Sequence, residues 1–167
     1  YLAEVVEQYH QGRNNALNYR VVRRAAHNTD AEVASLISTL ATEPNIESTQ
    51  KTLAFEFLCL SHTFLSYIAA LGAHREQIQD QEVLTLLDQA LDDIQGALLR
   101  DEVPDLSAQN MMQTIREHLN RKEENNQKSL IILQQLSLML SILTRLSMLK
   151  QSLSHEPNED GTEFASL

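Results

Sequence analysis

Only seven of the 167 residues are Gly or Pro, and their placement leaves long stretches with neither. Gly supplies the positive φ that tight turns need, and Pro interrupts both helix and sheet ladders. A chain this poor in both makes few turns. A β-sandwich or barrel needs a turn every 8–12 residues or so. It also draws on β-branched and aromatic side chains, and here Val numbers seven and the aromatics eight. What remains is an all-α chain of long helices. The stretch from Arg13 to Glu43 has no breaker, and as one helix it would be about 46 Å long at 1.5 Å per residue. A compact globule of this size has a radius of gyration near 15 Å, so the body is expected to be elongated.

Apolar spacing places the helices. Leu2, Val5, Val6 and Tyr9 fall at i, i+3, i+4 and i+7 on one face. Gly12 either breaks this helix or is absorbed into a longer one that continues through Val22, Ala26, Val33, Leu36, Ile37 and Leu40 to a stop before Pro44. A second helix starts at Asn45–Ser48, carries Leu53, Phe57, Leu60, Phe64, Ile68 and Leu71 inward, and ends near Glu76. Asp80 caps a third that runs to about Arg100. The stretch 101–105, with Pro104, reads as a turn, and Asp105 or Ser107 caps a fourth helix carrying Met111, Met112, Ile115 and Leu119. The wholly polar 120–128 reads as a break before a last helix from Gln127 to Leu153. The expectation is an elongated antiparallel bundle of four to five helices over 1–153, followed by an acidic, disordered tail over 154–167.

Residues 130–149 are long enough to cross a membrane, with 13 of 20 apolar. Gln134, Gln135 and Arg145 lie inside that stretch, and a central Arg alone costs about 2.5–3.5 kcal/mol on insertion scales. The better reading is the central helix of a bundle. Its apolar arc is wide, and a helix apolar that far round is either central or shared with a partner. Leu136, Leu140 and Leu143 are the expected contact residues if a second copy packs there, making the chain a homo-oligomer.

The formal net charge is −10, with a pI near 5.0, which argues against nucleic acid as a partner because phosphate binding needs a basic surface. Cys59 has no cysteine to pair with, which suits a reducing compartment. With four glycines and no Walker-type pattern, a phosphate cradle and the cofactors it would hold are not expected. Glu7 and His10 make an E-x-x-H, but a di-metal bundle needs two such motifs and further glutamates. Cys59 and His62 make a C-x-x-H without the other two ligands zinc wants, and Cys59 reads as a small packing residue. Asp88, Asp92 and Asp93 belong to a stretch, 76–105, with nine acidic residues and one basic; this reads as a solvated acidic face. No enzyme is expected, and a metal-dependent bundle enzyme is the weakest of the readings. Arg13, Arg20, Arg23 and Arg24 form a local basic cluster. They either pair with the acidic helix, face anionic lipid headgroups, or are plain surface. Arg145 is expected to snorkel outward or to pair with a carboxylate.

Two segments carry a resemblance. RRAAHNTDAEVASLISTLATEP (23–44) and SHTFLSYIAALGAHR (61–75) resemble signature stretches of the fusaric-acid-resistance-like, or aromatic-acid-exporter-like, inner-membrane family, in its YccS/YhfK branch. The matching positions are Arg24, His27, Asn28, His62, Ser66, Tyr67, Gly72, His74 and Arg75. The resemblance implies a cytoplasmic, non-catalytic helical domain of an efflux-type transporter, serving assembly or gating and attached to the membrane through spanning helices upstream. The start at Tyr1, without Met, fits an excised piece. For the matching residues the resemblance implies packing or interface roles, with the small Ala69, Ala70, Gly72 and Ala73 permitting close helix approach. A free-standing helical adaptor is the other reading.

Overall fold

The structure is a computed structural model, and it describes residues 1–13, 16–100, 106–121 and 127–154. The expected turn at 101–105, most of the polar break before the last helix, and the tail beyond Ser154 lie outside the described residues. Every regular element among the described residues is helical: α1 (Leu2–Gln11), α2 (Ala16–Thr42), α3 (Ser48–Ala73), α4 (Gln81–Leu99), α5 (Leu106–Arg121) and α6 (Gln127–Ser154). The count is therefore six, not the four to five expected. The difference arises at Gly12, whose φ of +80° is a conformation that ends α1 rather than one a continuous helix absorbs. Its N–H closes α1 on the Gln8 carbonyl at 2.9 Å. At the other end of the next helix, α2 stops at Thr42, two residues before Pro44.

The core is built round α6. Ile132, Leu133, Leu136, Met139, Leu140, Leu143, Leu146 and Leu149 are buried, against α3 on one side and α4 and α5 on the other. This corrects one expectation. Leu136, Leu140 and Leu143 are at most 2% exposed, covered by this chain's own helices, so they offer no outward face to a second copy. The wide apolar arc is used internally because three helices surround α6.

Helix α4 buries Val83, Leu84, Leu87, Ala90, Ile94 and Ala97. Its first turn is capped by Asp80, whose Oδ1 accepts from the Val83 N–H at 3.3 Å while Oδ2 accepts from Ser129 Oγ at 3.0 Å. At the far end of α6, Ser147 Oγ donates to the Ala97 carbonyl and Lys150 Nζ to that of Leu98, at 3.2 and 2.8 Å. The start of α6 thus lies by the start of α4, and their ends lie together. Against α3 the order reverses: Lys128 pairs with Glu76 just past the end of α3, and Arg145 pairs with Glu56 in its first half.

Helix α2 is the exception to this burial. Of its 27 residues only Tyr19 is buried. It packs on α3 and touches α1, so α2 and the first half of α3 form a two-helix arm. Lys51 holds the arm's tip by donating to the Ala41 and Glu43 carbonyls, and His62 meets Asp30 at 2.7 Å midway. Among the described residues two helices, α3 and α6, are long and apolar enough to cross a membrane by length and composition. The most apolar window of α6 is 44% buried within the chain, consistent with a core helix, against 17% for that of α3.

Candidate functional site

Two of the nine residues that carry the resemblance, Gly72 and Arg75, lie at the base of the arm. There α1, α2 and α3 meet around Gly72 and Arg75. Tyr19 lies on the inner face of α2, and Tyr1 precedes the first turn of α1; their hydroxyls are 3.0 Å apart and their rings tilt at 59° with centroids 5.6 Å apart. Gly72 lets these hydroxyls come close. A Cβ built on it would lie 2.7 Å from Tyr19 Oη, 3.1 Å from Tyr1 Oη and 3.3 Å from Val5 Cγ2.

Arg75 locks the joint in three ways. Its Nη1 donates to the Gly72 carbonyl at 2.7 Å, satisfying an acceptor in the last turn of α3. Its Nε donates to Gln8 Oε1 at 2.7 Å. Its guanidinium carbon lies 3.6 Å from the centroid of the Tyr19 ring, a cation–π contact. Gln8 is buried and in turn donates to Glu4 at 2.9 Å. Tyr9, fully buried, donates to the Leu71 carbonyl at 2.8 Å. Burial pushes the Tyr1 and Tyr9 phenols above their ordinary range, so both stay protonated.

The other signature residues are dispersed. Tyr67 is half-buried and packs against the core. His62 is exposed apart from its pairing with Asp30, and the Ser66 hydroxyl donates to the His62 carbonyl within α3. His74 terminates α3 on the surface. Arg24, His27 and Asn28 are exposed on α2, with the His27 ring 6.5 Å from that of Tyr1. Of the small residues Ala69, Ala70, Gly72 and Ala73, only Gly72 is fully buried, so close approach is confined to one point. The sequence reading missed Tyr19 and Gln8. Gln8 is polar, yet it lies beside Val5 and Tyr9 on the inward face of α1, a position whose spacing was the available signal.

Other expectations resolve individually. Cys59 is exposed rather than packed. His10 meets Asp88 at 2.8 Å, and Glu7 accepts from Gln11; among the described residues no three His, Cys, Asp or Glu side chains gather as a metal site. Among the described residues the basic cluster makes no ion pair with the acidic helix: Arg13 reaches Glu76 at 3.5 Å and the Arg75 carbonyl at 3.1 Å. The carboxylates of α4 are met instead by His10, Arg100 and His118. Arg145 does pair outward, its Nε and Nη2 at 2.7 and 2.5 Å from the two oxygens of Glu56.

The hydrogen bond from Arg145 holds the Glu56 carboxyl below its ordinary value, and that from Lys128, with help from the Lys128 and Arg13 charges, does the same for Glu76. A carboxylate whose pKa is lower folded than unfolded contributes stability that is present above the unfolded value and lost as pH falls through the folded one. Acid unfolding of the wild type should therefore be steeper below the ordinary glutamate range than that of a Glu56→Gln, Glu76→Gln variant. Urea midpoints taken across that range check this. Identical pH profiles would show that the two pairs contribute nothing.

Fold and joint together define a helical domain in which Gly72 and Arg75 help fasten an exposed arm to a packed core. Comparison with known proteins gives the lineage. The chain is 39% identical over 160 residues, 95% of its length, to the inner membrane protein YccS of Escherichia coli. It is 34% identical over 80 residues, 48% of its length, to an uncharacterized protein of Haemophilus influenzae. The chain belongs with the YccS-like inner-membrane proteins. It spans 22% of the length of the Escherichia coli protein and 11% of that of the Haemophilus influenzae protein. No family model matches the chain, and no solved structure matches it.

Proposed function

We propose that this chain is a soluble, cytoplasmic domain of a bacterial inner-membrane efflux-type transporter, non-catalytic, and serving assembly or gating of the membrane part. The observation that carries the reading is the match along 95% of the chain to an inner membrane protein of which it covers only 22%. Such a ratio leaves most of a protein of that kind outside this domain, including room for spanning helices. On this reading the body is a bundle in which α6 runs antiparallel to α3 and parallel to α4, and the α2–α3 arm is the element that moves or docks. The joint at Gly72 and Arg75 supports that role, because it ties the arm to α1 through interlocked polar contacts beside the apolar packing of Val5, Tyr9 and Leu71. A homo-oligomer formed by such domains would use the apolar side chains left outside, such as Leu99, Leu138 and Met148. Cys59, exposed and the sole cysteine of the chain, is the probe for the test: the side of the membrane from which it reacts in the full-length protein.

A further inference from the structure

From Gln8 to Thr29 the chain has four arginines and no acidic residue, within a protein whose net charge is −10. On α2 this charge is combined with apolar surface. Leu17, Arg20, Val21, Arg24, Ala25 and Asn28 recur at i, i+3, i+4, i+7, i+8 and i+11, so they share one face. Tyr19, the residue that fixes α2 to the joint, points to the opposite side and is buried. The packing of Tyr19 therefore turns this face outward. Leu17 is 67% exposed and Val21 57%, and the six residues line one shallow groove.

The arginines of this face pair with no carboxylate among the described residues. Arg13 is engaged by Glu76. Arg20, Arg23 and Arg24 have no carboxylate partner among the described residues, and Arg20 turns its Nε back to the Ala16 carbonyl of its own helix at 3.2 Å. A helix with exposed apolar side chains flanked by unpaired cations has the composition of an interfacial helix, whose apolar residues enter the headgroup boundary while its cations meet anionic headgroups. The occupant must be both anionic and apolar beneath. We propose that the outer face of α2, through Leu17, Arg20, Val21 and Arg24 with Arg23 at its edge, docks on an anionic phospholipid surface. Only the placement of the domain beside a bilayer is taken from the function proposed above.

The test uses the 167-residue chain and vesicles of phosphatidylcholine with or without phosphatidylglycerol, read by co-sedimentation. Binding is expected to the anionic vesicles alone and to be lost near 1 M salt, where the screening length falls to about 3 Å. Each arginine near such a surface strengthens partitioning about fivefold, so Arg20→Gln with Arg24→Gln should weaken it about 25-fold. Leu17→Ser with Val21→Ser should weaken it at constant charge. Asp88→Asn with Asp92→Asn, on α4, should leave it unchanged. Circular dichroism confirms that each variant is folded; all four substituted α2 positions are exposed. Absence of binding to the anionic vesicles overturns the proposal, as does equal binding to neutral ones or binding indifferent to the arginine changes. So does concentration-dependent self-association that the same substitutions abolish, because the occupant would then be a second copy. Failure here leaves the cytoplasmic placement standing, since that is read independently from Cys59.

Discussion

Gly72→Leu is expected to lower the free energy of unfolding by about 3 kcal/mol, at the upper end of what overpacking costs. The first added carbon already meets Tyr19 Oη at 2.7 Å and Tyr1 Oη at 3.1 Å. Tyr19 cannot retreat freely, because it is buried and has the Arg75 guanidinium against its ring. A larger side chain must therefore push α2 away from α3, breaking the Tyr1–Tyr19 contact and the stacking together. Gly72→Ala separates the causes. In a helix, Ala is favoured over Gly by about 1 kcal/mol, and here the clash opposes that gain. Adding Tyr19→Phe removes the nearest atom and should make Gly72→Ala less costly than it is alone, a coupling that a double-mutant cycle measures. Urea titration followed by circular dichroism gives all four values. If Gly72→Leu is as stable as the wild type, the close approach at the joint is wrong.

Leu143→Asp is expected to abolish folding, and Leu143→Ala to cost about 3–4 kcal/mol. Leu143 has no measurable exposure and lies among Leu136, Met139, Leu140 and Leu146 on the central helix. A carboxylate there would have no partner and no water. Net stabilities of domains are about 5–15 kcal/mol, so the aspartate variant should be expressed largely unfolded, with its helical signal lost. A surface role for Leu143 predicts something different: a folded variant with altered association. Size-exclusion chromatography with circular dichroism distinguishes the two, and a well-folded Leu143→Asp protein would contradict the core assignment.

Much of the fold was legible because helical periodicity is strong here. The stop before Pro44 and the cap at Asp80 follow from backbone chemistry that acts locally. Gly12 was ambiguous for a physical reason: a glycine inside a helix costs only about 1 kcal/mol, and whether it takes a positive φ depends on what the flanking helices pack against. The same limit applied to α6. Its wide apolar arc showed that it must be covered, and only the arrangement of α3, α4 and α5 shows by what. Arg145 had two possible outlets, and the choice fell to Glu56, 89 residues away. At the joint, Gly72 and Arg75 stood out within a signature stretch, whereas Tyr19 and Gln8 join them only through long-range packing. Cys59 shows the converse error. Its residue type favours burial, but it falls on the solvent side of the arm.

The proposed placement of this domain at the cytoplasmic face of an inner-membrane protein can be read from the reactivity of Cys59. In the full-length protein, with any other cysteines replaced, intact spheroplasts are treated with a membrane-impermeant maleimide and then compared with spheroplasts whose membrane has been opened by detergent. The thiol is exposed on the arm, so it should react readily wherever the reagent can reach it. With the domain on the cytoplasmic side, Cys59 should remain unlabelled in intact spheroplasts and be fully labelled after permeabilisation. Full labelling in intact spheroplasts would place the domain on the opposite side and contradict that placement.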